Sequence, residues 1–348
     1  MAPTNFLTKG GASDSRAPTL GSVNGLGRGN IGVREYGRKP LVSDAGAFLL
    51  GIDVKIIQSV AEMQEYSEAE RCRGRRIAFV PTMGYFHEGH LNLMRIGRNR
   101  GDCLVVSIFV NPAQFAPTED LDAYPRDFER DRTLAEGVGV DVIFFPDNRE
   151  MYPEDYQTHV EVEGITNNLC GVSRPQFFRG VTTVCTKLFH IVKPHVTIFG
   201  KKDFQQYVTI RRMVRDLNMD IEVVGMETTR EPDGLAMSSR NVYLNQEERK
   251  SALSLSRSLD LAGDLYGDGE RDASSILGKV RALIAGYPHT GIEYAQICDV
   301  KTMKDVARIE GACVLALAVR VGRTRLIDNR VFGESLETGE RIFQAGGR

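Results

Sequence analysis

The 348-residue chain has no apolar run approaching the ~20 residues that would span a bilayer. It has no CxxC pair. Its six cysteines (Cys72, Cys103, Cys170, Cys185, Cys298 and Cys313) are scattered, which predicts free thiols in a reducing compartment. It also lacks a charge imbalance: 44 Lys and Arg stand against 46 Asp and Glu. No chain-wide field would draw such a protein onto nucleic acid or an acidic membrane, so neither is expected as a partner. What remains is an ordinary globular composition, 42% apolar and 26% charged, on a chain long enough for two domains.

Residues 1–52 have little that could build a core. The stretch "TKGGASDSRAPTLGSVNGLGRGNIG" is rich in Gly, Ser, Pro and Asn and shows no periodicity. Such a segment cannot bury enough surface to offset its ordering entropy, so a disordered N-terminal extension is expected over 1–52. It has no apolar signal-peptide core, and Asp14, Glu35 and Asp44 count against an organellar transit peptide. A cytoplasmic location is the expectation.

From Val54 onward the pattern alternates. "VKII", "RIAFVP", "CLVVSIFV", "VDVIFFP", "HVTIFG" and "IEVVGM" read as strands, several of them apolar on both faces. Helical periodicity fills the intervals, as in "DFERDRTLAEGV" and "DFQQYVTIRRMVRDL". The alternation predicts an α/β domain over 53–234, a Rossmann-like parallel sheet with helices on both faces. Ligands of such sheets bind beyond the carboxyl ends of the strands, in the loops beginning at Pro81, Val110, Gly200 and Met226. After Gly234 the rhythm changes to two helices and three strands. The first helix opens on a capping box, Asn245 with Glu248, and the last two strands join through Gly322–Arg323. This predicts a small C-terminal α+β domain over 235–348, placed to act as a lid.

In the first loop, "PTMGYFHEGH", Gly84 allows close backbone approach, and the unpaired N–H groups of a helix start suit phosphate. His87 and His90, three apart, can share one side of the first helical turn and donate to phosphate oxygens. Two other readings compete: ordinary structural histidines, and a zinc site. The zinc-protease pattern needs an i,i+4 pair within a helix, and no third ligand stands nearby, so no dedicated protein metal ligands are expected. In the second loop, "FVNPAQF", Asn111 and Gln114 are amides that both donate and accept, or else Asn111-Pro112 is simply a turn. In the loop "GKKDFQQ", Lys202 supplies a point charge suited to polyphosphate, unless the loop is merely solvated. In "DGLAMSSRN", two hydroxyls and the Arg240 guanidinium could hold a leaving pyrophosphate, in what also reads as an interdomain linker. Phe177 and Phe178 could wall an apolar group and Arg179 meet an anion, although such a stretch is more often a helix start packed on the core.

The strings "PTMGYFHEGH", "SIFVNPAQF", "DLDAYPRD", "FGKKDFQQ" and "DGLAMSSRN" occur in one order over roughly residues 54 to 245. Together they resemble the pantothenate synthetase (pantoate–β-alanine ligase) family of HxGH nucleotidyltransferases. The departures are Tyr85-Phe86, where the family often carries Ala-Leu, and the N-terminal extension.

The resemblance implies condensation of pantoate with β-alanine at the expense of ATP and Mg²⁺, through a pantoyl adenylate, in a homodimer. It implies His90, His87 and Lys202 as catalytic groups. ATP would lie against Met83, Gly84, Tyr85, Phe86, His87, Glu88, Gly89 and His90, then Gly200, Lys201, Lys202 and Asp203, then Thr229, Met237, Ser238, Ser239 and Arg240. Pantoate would meet Gln114, Gln206 and Asn111, and β-alanine would enter near Gln114. Tyr85-Phe86 would make a bulkier approach to the nucleotide. "DLDAYPRD" carries no residue-by-residue role. Three rivals are weaker. A cytidylyltransferase would want cations for a phosphorylated acceptor rather than a neutral Gln pair. A tRNA-charging enzyme would want a basic extension. A degenerate binding protein would not retain both histidines, Lys202 and the Ser-Ser-Arg loop.

Overall fold

The computed structural model describes residues 53–117 and 119–333. The expectation of disorder over 1–52 therefore lies outside the described residues. Six strands form one parallel sheet: β1 (Lys55–Ile57), β2 (Ile77–Thr82), β3 (Cys103–Ile108), β4 (Val142–Phe144), β5 (Val196–Gly200) and β6 (Glu222–Met226). Their spatial order is β1-β4-β3-β2-β5-β6. The chain moves outward from β2 through β3 to β4 on one side, and from β5 to β6 on the other. The crevice between the ends of β2 and β5 is thus a topological switch point, where loops diverge and leave room for a ligand.

The helices are α1 (Val60–Cys72), α2 (Glu88–Arg100), α3 (Phe128–Val138), α4 (Asn148–Met151), α5 (Cys170–Ser173), α6 (Phe177–Val192) and α7 (Phe204–Asp216). Alternation along β2 assigns them to faces. Ile77 and Phe79 join the core with Met63 of α1, Leu188 of α6 and Ile210 of α7. Ala78 and Val80 join the opposite core with Met94 of α2 and Ala135 of α3. Burial on both faces is why these strands read as near-continuous apolar runs.

Beyond Met226 come α8 (Gln246–Gly267), α9 (Ala273–Ala285) and an antiparallel sheet of β7 (Thr290–Asp299), β8 (Cys313–Val321) and β9 (Thr324–Phe332). The Asn245–Glu248 capping box forms as its sequence predicts, with Asn245 Oδ1 accepting the Glu248 N–H at 2.9 Å. In β8, Leu315, Leu317 and Val319 face α8 and α9, while Val314 and Ala316 join the core beneath the large sheet. The small sheet is therefore apolar on both sides and seated against the first. Among the described residues, no helix is long and apolar enough to cross a membrane.

Candidate active site

Helix α2 begins earlier than its apolar pattern suggests. His87 is its N-cap, and His90 occupies the third helical position. His87 Nδ1 accepts the Gly89 N–H at 3.2 Å, and His90 Nδ1 accepts the His87 N–H at 3.3 Å. With both Nδ1 atoms used as acceptors, the hydrogen-bond network assigns the proton of each neutral ring to Nε2. The rings lie 4.1 Å apart, centroid to centroid. Burial first, and then the Lys202 charge, holds His87 down to about 4. Burial, His87 and Lys202 hold His90 well below the usual imidazole range. Each ring keeps part of its surface on the cleft, yet protein surrounds most of it. Two neutral Nε2–H donors are therefore the working state near neutral pH.

The turn that delivers them is strained. Gly84 and Tyr85 both have positive φ, 82° and 53°. For tyrosine this conformation costs ~1–2 kcal/mol. Asp131 of α3 compensates: its carboxylate, 1% exposed, accepts the N–H groups of Tyr85 and Phe86, each at 2.6 Å. Burial raises the Asp131 pKa, and those two bonds oppose the rise. The sequence reading missed this anchor. Its signal was a carboxylate on the stripe that Asp131 shares with Ala135 and Val138.

One cleft of about 190 Å³ gathers most of the predicted residues. Met83, His87, His90, Asn111, Gln114, Lys202, Asp203, Gln206, Ser238, Ser239 and Arg240 all line it. They come from the loops after β2, β3 and β5, the first turns of α2 and α7, and the linker after β6. Others of the set stand elsewhere. Phe86 is fully buried between sheet and helices, so it does not form a bulkier approach to a nucleotide. Tyr85 instead lies under the Arg130 guanidinium, 5.3 Å from its carbon. Glu88 pairs outward with Arg95, and the buried Lys201 ammonium meets Glu227 at 2.6 Å. Thr229 and Met237 are joined through the backbone at 3.0 Å, and Thr229 Oγ1 accepts from Asn92 at 3.5 Å. Neither lines the cleft, nor do the side chains of Glu88 and Lys201, nor Gly84, Gly89 and Gly200.

The amides divide their labour. Asn111 is 1% exposed. Its Nδ2 donates to Gly180 O and to Gln114 Oε1, and its Oδ1 accepts from the Tyr152 hydroxyl at 2.9 Å. Its amide is spent on structure, and its service is to orient Gln114. The Gln114 amide NH₂ has only the weakly accepting Met83 sulfur at 3.1 Å, and Gln206 has no protein partner among the described residues. Both amides are thus available to a hydroxy acid. The apolar wall is Phe109, Val181, Val184, Cys185, Leu188 and Phe199, not Phe177 and Phe178. Phe178 is buried in α6, and Arg179 is exposed away from the cleft.

The acidic loop acquires definite contacts. Asp120 receives two hydrogen bonds from Arg240, at 2.8 and 2.9 Å. Burial opposes the charge of Arg240, but Asp120 outweighs it and raises the pKa further. The Tyr124 and Ser239 hydroxyls meet at 3.1 Å. From the far sheet, Asn329 Nδ2 donates to Lys201 O and Lys202 O, at 2.9 and 2.8 Å. Its neighbour Asp328, 2% exposed, takes two bonds from Arg230 in the linker. Asp328 and Asn329 were missed too. Their only trace was an Asp-Asn pair interrupting an apolar strand.

Fold and cleft together define a class: a doubly wound α/β protein with a cleft rich in cationic and hydrogen-bonding side chains at its switch point, and a small antiparallel sheet packed against the same domain. The comparisons narrow it. The pantoate-beta-alanine ligase family profile matches residues 55–331. The pantothenate synthetase of Syntrophus aciditrophicus is 68% identical over 283 residues, covering 81% of this chain and 99% of that protein. The one from Geobacter sulfurreducens is 56% identical over 281 residues, with 81% and 99% covered. The crystal structure of pantothenate synthetase from Thermus thermophilus superposes with a TM-score of 0.75 at 42% identity, covering 80% of this chain and 99% of that one. A Francisella tularensis pantoate-beta-alanine ligase, complexed with beta-gamma ATP and beta-alanine, gives 0.67 at 29% identity, with 80% and 97% covered. The chain belongs to the pantoate–β-alanine ligase family and is an enzyme of that class.

Proposed function

We propose that the chain joins (R)-pantoate to β-alanine in two steps at this one cleft. The observation that carries the reading is the convergence of His87, His90, Lys202, Ser238, Ser239 and Arg240 on one cleft with the Gln114 and Gln206 amides. A carboxylate resists amine attack because oxide is a poor leaving group. In the first step the pantoate carboxylate oxygen attacks the α-phosphorus of ATP. The bond to the bridging oxygen breaks, and pyrophosphate leaves. In the second step the β-alanine amine attacks the acyl carbon, the bond to the phosphate oxygen breaks, AMP departs and the amine gives up its proton.

The first step needs positioning and charge stabilisation more than proton transfer. The two Nε2–H donors and the Lys202 ammonium would meet charge as it builds on the phosphate oxygens. Arg240 and the serines would hold the pyrophosphate end. Gln114 and Gln206 would fix the hydroxy acid, with its methyls on the α6 wall, and β-alanine would approach beside Gln114. Among the described residues no three His, Cys, Asp or Glu side chains gather as a metal site. Mg²⁺ would enter with the ATP phosphates and offset their charge, and among the described residues Asp203 is the one carboxylate lining the cleft. The C-terminal unit and the Met226–Asn241 linker would act as the lid that keeps water from the adenylate. A homodimer and a cytoplasmic location complete the reading, the first resting on the family resemblance and checkable by sedimentation.

Incubation with ATP, D-pantoate and β-alanine tests the whole. Pyrophosphate should appear only when pantoate is present, and pantothenate only when all three are. Pyrophosphate release without pantoate, or with a phosphorylated acceptor instead, would overturn the reading.

A further inference from the structure

The catalytic cleft does not end at its own mouth. Lys202, Asp203, Gln206, Ser238 and Arg240 also line a second cavity, between the starts of α6 and α7 and strands β8–β9. That cavity shares Arg174, Arg240 and Arg325 with a surface groove of about 700 Å³ on the C-terminal side. Arg240 lines all three spaces. The groove carries five arginines and four carboxylates. Three of the arginines are matched: Arg174 with Glu119, Arg240 with Asp120 and Arg325 with Glu293, at 2.6 to 2.8 Å. The fourth carboxylate, Glu248, is engaged by the Asn245 N–H at the start of α8. The two remaining arginines, Arg320 and Arg323, are exposed and form no ion pair among the described residues. Both sit at the tip of the β8–β9 hairpin, where Gly322 takes the positive φ of 56° that the two-residue turn requires.

We propose that this groove is the departure path for pyrophosphate, with Arg320 and Arg323 as its outer anion site. The inference rests on the two-step reading above. After the first step the adenylate must stay, a small zwitterion must enter and a multiply charged anion must leave. The histidine turn and the α6 wall both line the cleft. The opening past Arg240 leads to a groove where five arginines outnumber four carboxylates, with Arg320 and Arg323 outside any ion pair among the described residues and the Glu248 carboxylate against Gly322 between them. Such an excess of positive charge favours pyrophosphate outside the cleft. It does little for β-alanine, whose charges cancel.

Pantoate-dependent ATP–pyrophosphate exchange tests this, because pyrophosphate must then enter by the same route. In Arg320→Ser/Arg323→Ser the KM for pyrophosphate should rise roughly 3- to 10-fold, as expected for two exposed charge contacts. Product inhibition by pyrophosphate should weaken in parallel. The KM values for ATP, pantoate and β-alanine should stay within about twofold of wild type. Arg320→Lys/Arg323→Lys should restore most of the pyrophosphate KM, which separates charge from hairpin structure. An unchanged pyrophosphate KM in the serine variant, or a shift in the β-alanine KM instead, overturns the proposal. If the wild-type chain shows no pantoate-dependent exchange at all, the two-step reading itself fails, and the path with it.

Discussion

His87 and His90 each use Nδ1 to hold the first turn of α2, and that decides what they can do. A protonated ring would lose its acceptor and break the turn. Both are therefore suited to donate from Nε2 while neutral, as stabilisers of developing charge rather than as acids. His90→Ala and Lys202→Ala should each lose roughly 100-fold or more in adenylate formation while remaining folded, since one such donor is typically worth ~2.7–4 kcal/mol. Rapid-quench measurement of the first step checks this, and near-wild-type rates would remove the assignment. Titration gives a second check. The His87 value of about 4 lies below the ordinary 6.5, so the unfolded chain binds more protons between the two. The stability His87 contributes is complete above 6.5 and falls away as pH drops toward 4. In the free protein its ring NMR signals should move near pH 4. A midpoint above 6 would contradict the buried, neutral ring.

At the scale of elements, the strand β9 is more than a cover. Asn329 closes the two carbonyls of the loop that carries Lys202, and Asp328 holds Arg230 in the linker that carries Ser238, Ser239 and Arg240. One strand thus positions two of the cleft's walls. Asn329→Leu would leave both carbonyls without that donor, a loss of about 1–3 kcal/mol if they stay dry. The expected outcome is a drop of roughly tenfold in the adenylation rate, a smaller loss if water reaches the carbonyls, with little change in the KM for pantoate. Equal losses in kcat and in all KM values would instead point to general unfolding. The alternation of strand and helix was legible because each element carries its own period. The part played by β9 was not, since its partners lie 127 and 128 positions away in the chain.

For the whole molecule, the linker is tied both to β9 and to the acidic loop between β3 and α3. Arg230 reaches Asp328, while Arg240 reaches Asp120 on the opposite rim. If the C-terminal unit closes over bound substrates, ATP plus pantoate should slow proteolytic cleavage within 226–241, and ATP alone should do so less. Cleavage at an unchanged rate with both present would count against the lid. Truncation offers a further check. The family match begins at residue 55, and the relatives are covered almost end to end by 80% of this chain. A chain starting at residue 53 should therefore keep wild-type kcat, and loss of the adenylation step would assign the first 52 residues a part in it.

The sequence alone determined the order of the elements, the loops that carry the chemistry and most of the cleft-lining residues. Local patterns suffice for these: period, caps, and short strings such as "HEGH" and "SSR" whose chemistry is carried by adjacent residues. Only the tertiary structure decided which of them face one another. It turned Phe86 and Lys201 into the interior and gave Asn111 to the support of Gln114. It also found Asp131, Asp120, Tyr124 and Asn329 holding the site from distant segments. Their contacts depend on how the two sheets and α3 pack, and packing across such distances leaves no periodic mark on the chain.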